Sequence, residues 1–131
     1  MEIKFRGKGS CDGAWVYGGL IQYKSGECAI ISEKLSAYGH EATEIYRRDK
    51  VIPETVGQFI RLKDRINKEI FEGDIVKNLT EDIVQEIQYD IETARFVITG
   101  EGLLFDFDNT YSTELEIIGN RWENPGLMEG I

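Results

Sequence analysis

Apolar and polar residues alternate with a period of two along much of the chain, the spacing of strands with one buried face. Ile3 and Phe5 alternate with Lys4 and Arg6 and predict a short first strand. The run Gly7-Lys8-Gly9-Ser10-Cys11-Asp12-Gly13 then predicts a turn, because Asp and Gly tolerate the left-handed backbone of tight hairpins. Residues 15–23 are rich in aromatic and β-branched side chains and predict a second strand. Lys24-Ser25-Gly26-Glu27 reverses the chain and residues 28–31 return, completing a meander. Residues 33–50 are harder to read: Gly39 interrupts any helix, Glu44-Ile45-Tyr46-Arg47 suits a strand, and Pro53 holds Ile52 extended.

From Gly57 the pattern sharpens. Residues 58–62 predict a strand, residues 63–68 a turn, and Glu69-Ile70-Phe71 the returning arm. Glu72-Gly73-Asp74 predicts a tight corner into Ile75-Val76-Lys77. Ile83, Ile87 and Ile91 sit at helical spacing behind Thr80, a residue able to cap a helix. Yet Ile87, Tyr89 and Ile91 also alternate, and residues 95–98 supply a returning strand, so a hairpin is expected. Residues 103–105 and 115–118 predict the last strands, and Gly126-Leu127-Met128 no more than one helical turn. The fold class is therefore mainly β with little helix. It divides into an N-terminal meander, 1–50, and a C-terminal region, 51–131, sharing one compact unit.

The chain has 131 residues with 41% hydrophobic and 30% charged side chains, the balance of a globular protein. No apolar run approaches the roughly 18 residues a membrane helix needs. The alternating Met-Glu-Ile-Lys-Phe-Arg start lacks a signal peptide's apolar stretch, so a cytoplasmic location is expected and no membrane partner. The net charge is −9, unevenly spread: residues 1–68 carry net +3 and residues 69–131 net −12. So acidic a chain repels phosphate backbones, and direct nucleic-acid binding is not expected.

Candidate chemistry is sparse. Leu103-Leu104-Phe105-Asp106-Phe107-Asp108-Asn109-Thr110 matches the apolar-run-then-Asp-x-Asp-x-Thr signature of haloacid-dehalogenase-type, Mg²⁺-dependent phosphotransferases. That chemistry also needs a downstream Lys and further acids on a parallel sheet; no Lys follows Thr110, and the upstream pattern is one of hairpins. Gly7-Lys8-Gly9-Ser10 lacks the spaced glycine and following helix of a phosphate loop. Cys11 and Cys28 cannot complete a zinc site and read as reduced, partly buried thiols. His40, the only histidine, has no triad partners that can be assembled. No catalytic residue, metal or cofactor is expected. Arg61, Lys63 and Arg65 alternate, with Lys68 beyond, making a basic hairpin tip. That tip is either a solvated hairpin end or a candidate patch for an acidic protein partner, another copy included.

Three stretches resemble the YopX family, small proteins typical of phages and prophages of Gram-positive bacteria. They are Ile3-Lys4-Phe5-Arg6-Gly7-Lys8 with Trp15-Val16-Tyr17-Gly18; Ile52-Pro53-Glu54-Thr55-Val56-Gly57-Gln58-Phe59 continuing through Leu62-Lys63-Asp64 and residues 67–76; and Ile117-Ile118-Gly119-Asn120 with Glu123-Asn124-Pro125 and Leu127. The resemblance implies a β-rich fold whose C-terminal part is a small Src-homology-3-like roll, and it brings no catalytic residues. This chain has Ile60-Arg61-Leu62 where the family pattern has Thr-Gly-Leu, and Ile66-Asn67 where it has Asn-Gly. Asn67 can keep a left-handed turn. Arg61 is not expected to copy a glycine at positive φ, so an ordinary β backbone or a local change is expected there.

Two functions of different class follow. One is a non-catalytic phage or prophage interaction module, self-assembling or binding a host protein. The other is an acidic, nucleic-acid-mimicking inhibitor of a host protein, suggested by the charge of residues 69–131. A phosphatase-like activity ranks third.

Overall fold

Strands dominate because β-branched and aromatic residues alternate with polar ones between turn formers. The computed structural model describes residues 3–38, 41–100, 103–106 and 112–128. The strands are β1 Phe5–Lys8, β2 Trp15–Gln22, β3 Cys28–Tyr38, β4 Glu41–Val51, β5 Gly57–Lys63, β6 Glu69–Phe71, β7 Asp74–Asn78, β8 Ile83–Asp90, β9 Arg95–Gly100, β10 Leu103–Asp106 and β11 Leu115–Asn120. The helical pieces among the described residues are 3-10 turns at Pro53–Thr55, Ser112–Glu114 and Pro125–Leu127. The chain is mainly β, as expected. It divides into two compact units, Met1–Gln58 and Phe59–Ile131.

In the first unit all pairing is antiparallel, in the order β4-β3-β2-β1, with Gly57 and Gln58 of β5 on the far side of β1. Gly18 lets β2 cross close under β3, since a side chain there would collide with the Ile31 carbonyl. Gly7 lies against Val51 for the same reason, and Gly9 forms a bridge to Val51. The Gly7–Ser10 turn expectation is thus corrected: Gly7 and Lys8 finish β1, and the turn starts at Ser10. Cys28, Ile30 and Val51 form the buried cluster, packed by Phe5, Val16, Leu20 and Val56. Buried Thr55 accepts a hydrogen bond from the Lys8 amide (2.9 Å), tying the Pro53–Thr55 turn to β1. The illegible stretch turns out to be the long β3–β4 hairpin; Gly39 and His40 lie outside the described residues.

In the second unit Phe59 and Lys63 of β5 stand opposite Phe71 and Glu69 of β6. Five further strands form an antiparallel sheet in the order β10-β9-β8-β7-β11. Ile70, Val76, Ile87, Ile98 and Leu115 make the core, with Ile60, Leu62 and Ile117 against it. Alternation, not the helical spacing of Ile83, Ile87 and Ile91, prevails, because β8 pairs on both edges, with β7 and β9. Gly73 has φ +92, and any side chain there would enter the Trp122 ring, which seats the C-terminal turn on the β6–β7 corner.

Four of the buried polar residues of this unit cap turns. Asn78 accepts from the amides of Thr80 and Glu81, Asp74 from Phe71, and Asn120 from Trp122 and Glu123. Asp64, only 4% exposed, does most. Its Oδ1 accepts from the amides of Ile66 (3.0 Å) and Lys68 (2.9 Å), and its Oδ2 from Ile117 on β11 (3.1 Å). Hydrogen bonds to a charged acceptor contribute more than neutral ones, and losing this one strands three donors. Asp64→Ala should therefore cost about 3 kcal/mol in urea unfolding; a loss within ~0.5 kcal/mol would show that the turn holds without it.

Asp90 caps the β8–β9 turn in the open, accepting from the Thr93 hydroxyl (2.6 Å) and the Glu92 amide (3.1 Å). The Thr93 hydroxyl is the main reason its carboxyl titrates below the ordinary 3.8, outweighing slight desolvation and joined by the Glu92 amide and Arg95. A carboxyl depressed in the folded state stabilises above its unfolded pKa, and that contribution disappears as pH falls through the folded value. Thr93→Val should move the Asp90 carboxyl titration upward in an NMR pH series, leaving the fold intact.

Candidate functional site

The basic tip arises from how β5 turns into β6. Between Phe59 and Lys63 the ladder with β6 is interrupted by a register shift. Arg61 lies inside it with φ +67, the left-handed region that glycine occupies freely and L residues at a cost of about 1 kcal/mol. The expectation for Arg61 is thus corrected: the arginine does adopt a glycine-like backbone. The reason is local. Phe59 stands opposite Phe71 and Lys63 opposite Glu69, so β5 carries extra residues between these pairs, and Arg61 takes the left-handed backbone of that bulge with its side chain at the surface.

At the apex, the Asp64 amide donates to the Lys68 carbonyl (2.8 Å) and the Asn67 amide to the Asp64 carbonyl (3.0 Å). Asn67 has φ +69, the left-handed turn expected of it. The Arg65 amide donates to the Leu115 carbonyl (2.9 Å), a second tie to β11. The tip backbone is therefore pinned from below while its side chains face outward. Arg61, Lys63, Arg65 and Lys68 are all exposed, and their exposure alternates with half-buried Leu62 and buried Asp64. The four cations belong to one hairpin. Between Arg65 and Lys68 stands Ile66, 66% exposed. The charge pattern alone did not single it out, although an isoleucine among turn formers was the available signal.

The other sequence candidates are not gathered into a site. Asp106 ends β10, whose partner β9 runs antiparallel, and residues 107–110 of the Asp-x-Asp-x-Thr match lie outside the described residues. Cys11 and Cys28 are both free thiols, but Cys11 is exposed rather than partly buried. It rides a turn in which Asp12 caps the Ala14 amide (3.0 Å) and the Gly13 amide closes on Gly9. Among the described residues no three His, Cys, Asp or Glu side chains are placed to hold a metal ion. No helix of the described residues is long and apolar enough to cross a membrane.

Stacked cations elsewhere have partners within the fold. The Arg6 guanidinium lies 4.5 Å from the Trp15 ring centroid, and Arg121 bonds Glu86 at 2.8 Å beside Trp122.

An antiparallel meander followed by a pinned β5–β6 hairpin and a second antiparallel sheet defines a small two-part β protein. Its sequence matches the model of the YopX protein family over residues 4–129, and the chain belongs to that family. Among solved structures it is similar to protein EF1440 from Enterococcus faecalis, with a TM-score of 0.65 at 24% identity, covering 98% of this chain and 99% of that one. That likeness is one of fold. Among curated proteins none matches the chain.

The left-handed Arg61 yields a stability prediction. Arg61→Gly should leave stability unchanged or raise it by up to about 1 kcal/mol, since relief of backbone strain outweighs glycine's greater unfolded-state freedom. Arg61→Val should lower it by about 1 kcal/mol or more, because β-branching disfavours that backbone further. Urea midpoints of the two variants check both signs.

Proposed function

We propose that this protein is a non-catalytic, phage- or prophage-encoded interaction module acting in the cytoplasm of a bacterial host, and that the β5–β6 hairpin tip docks an acidic protein partner. The supporting observation is the exposed Ile66 framed by Arg65 and Lys68 on a backbone pinned by Asp64. A protruding apolar anchor with a charged rim has the form of a binding hot spot: the anchor contributes affinity, and the charges set partner and on-rate. Rigidity adds to this, since a pinned loop loses little entropy on binding. Arg61, held in a costly conformation on the same hairpin, fits a residue retained for its surface chemistry.

A second reading, an acidic decoy for a nucleic-acid-binding host protein, draws on the net −12 of residues 69–131. Part of that charge is already engaged inside the fold. Asp74 is buried on the Phe71 amide, and Asp90 is spent on the Thr93 hydroxyl and the Glu92 amide. This favours the tip. Phosphotransfer on Asp106 has less support, since its strand is set antiparallel.

The two readings separate in one experiment. Host lysate is passed over the immobilised protein, and the captured partner is identified by mass spectrometry and re-measured in pure form. On the tip reading, Arg65→Glu with Lys68→Glu weakens binding by roughly tenfold or more, Ile66→Ser does likewise, and DNA does not compete. A partner that ignores these substitutions but is displaced by DNA and by salt would instead establish the decoy.

A further inference from the structure

The β3–β4 hairpin has an edge that nothing among the described residues covers. β4 pairs with β3 along its whole length, from Cys28–Val51 to Tyr38–Glu41. β2, however, pairs with β3 only from Cys28 to Ile31. Beyond that point residues 32–38 and 41–47 form a two-stranded ribbon without a third strand among the described residues. Such a ribbon is marginal in water, and an open edge is a template for another strand.

The edge is closed at one end, and that closure reveals its hydrogen-bonding phase. The Ser10 amide donates to the Lys50 carbonyl (2.9 Å), and the Ile52 amide to the Lys8 carbonyl (2.8 Å). Lys50 and Ile52 therefore direct their backbone groups outward from β4. By the two-residue repeat of a strand, Arg48, Tyr46, Glu44 and Ala42 do the same on the uncovered stretch. Tyr46 is 65% exposed. Arg48 is held by the Tyr23 hydroxyl and ring, its guanidinium 5.2 Å from the ring centroid.

We propose that two copies of this chain pair through this edge, β4 against β4, antiparallel, with Tyr46 on the two-fold axis. Opposed residues in an antiparallel pair share a phase, and pairing must stop short of Lys50, so few registers are available. With position 44 on the axis, Glu44 meets its own copy. With position 45 there, Glu41 faces Asp49. With position 47 there, Arg47 meets its own copy. With Tyr46 on the axis, Glu44 faces Arg48 twice over, and the outward groups of 44, 46 and 48 bond one another. The strand is acidic at its start and basic at its end, so its own antiparallel copy is its electrostatic complement. An isologous pair of this kind uses the β4 edge of both copies at once, so pairing through that edge stops at two chains.

Sedimentation equilibrium of the full chain, across micromolar to millimolar concentration, tests this independently of the hairpin tip. The native protein should approach twice 15.0 kDa. Tyr46→Pro removes an outward amide and spares the β3 ladder, so it should give a monomer with an unchanged far-UV spectrum. Arg48→Glu sets like charges opposite each other and should weaken the dimer about tenfold; adding Glu44→Arg should restore it. The Arg65→Glu, Lys68→Glu tip variant should remain dimeric. A native monomer throughout, a larger ring or filament, or a charge swap that fails to restore the dimer would each overturn the proposal. So would folded Tyr46→Pro that still dimerises.

Discussion

One buried carboxylate organises the β5–β6 hairpin. Asp64 binds the amides of Ile66, Lys68 and Ile117, so a single side chain both closes the β5–β6 turn and fastens it to the last strand. A hairpin tip ordinarily frays, because its amides can find water as readily as each other. Here the turn amides point inward at a charge, and an exit from that arrangement leaves a carboxylate buried without its donors. The outward side chains inherit this rigidity. Ile66 stays at the surface because the turn amides, Asn67 in its left-handed conformation and the Arg65–Leu115 bond together leave it nowhere else to go.

The β character, the first hairpins and the β8–β9 hairpin were legible because period-two alternation and turn chemistry agreed there. Asp90, Gly13 and Gly26 stand where turn formers are expected, the glycines at positive φ. The β3–β4 hairpin was not legible for a physical reason. Its distal ribbon has no third strand among the described residues, and residues 32–47 show no sustained alternation of apolar and polar residues for a period to report. Arg61 misled in the opposite way. Its type argues for ordinary β, but the register of β5 against β6 shifts between Phe59 and Lys63, and the bulge puts Arg61 in a left-handed backbone at a cost of about 1 kcal/mol. The basic tip was visible as a charge pattern; its apolar centre became visible only once the turn had put Ile66 outside.

Charge also divides differently in space than in sequence. The acidity of residues 69–131 looks like a single field when summed along the chain. In the fold several of its carboxylates serve locally: Asp74 holds the β6–β7 corner, Asp90 the β8–β9 turn, and Glu86 reaches Arg121. Carboxylates used as turn caps are chosen for their lone pairs, which backbone amides need wherever a ladder stops. A protein with many short strands has many such places, so an acidic composition follows partly from its number of turns. This weakens any inference from net charge to partner and strengthens inferences from side chains that no turn requires.

The same separation bears on where a binding surface can evolve. Thr55, Asp64, Asp74, Asn78 and Asn120 are buried and spent on backbone amides; changing them alters the scaffold. Arg65, Ile66, Lys68 and Tyr46 carry no such duty through their side chains' burial, since all are exposed. Substitution at those positions changes what the surface offers while leaving the turns intact. A fold built this way can keep its hairpins constant while the side chains at its tips and edges vary.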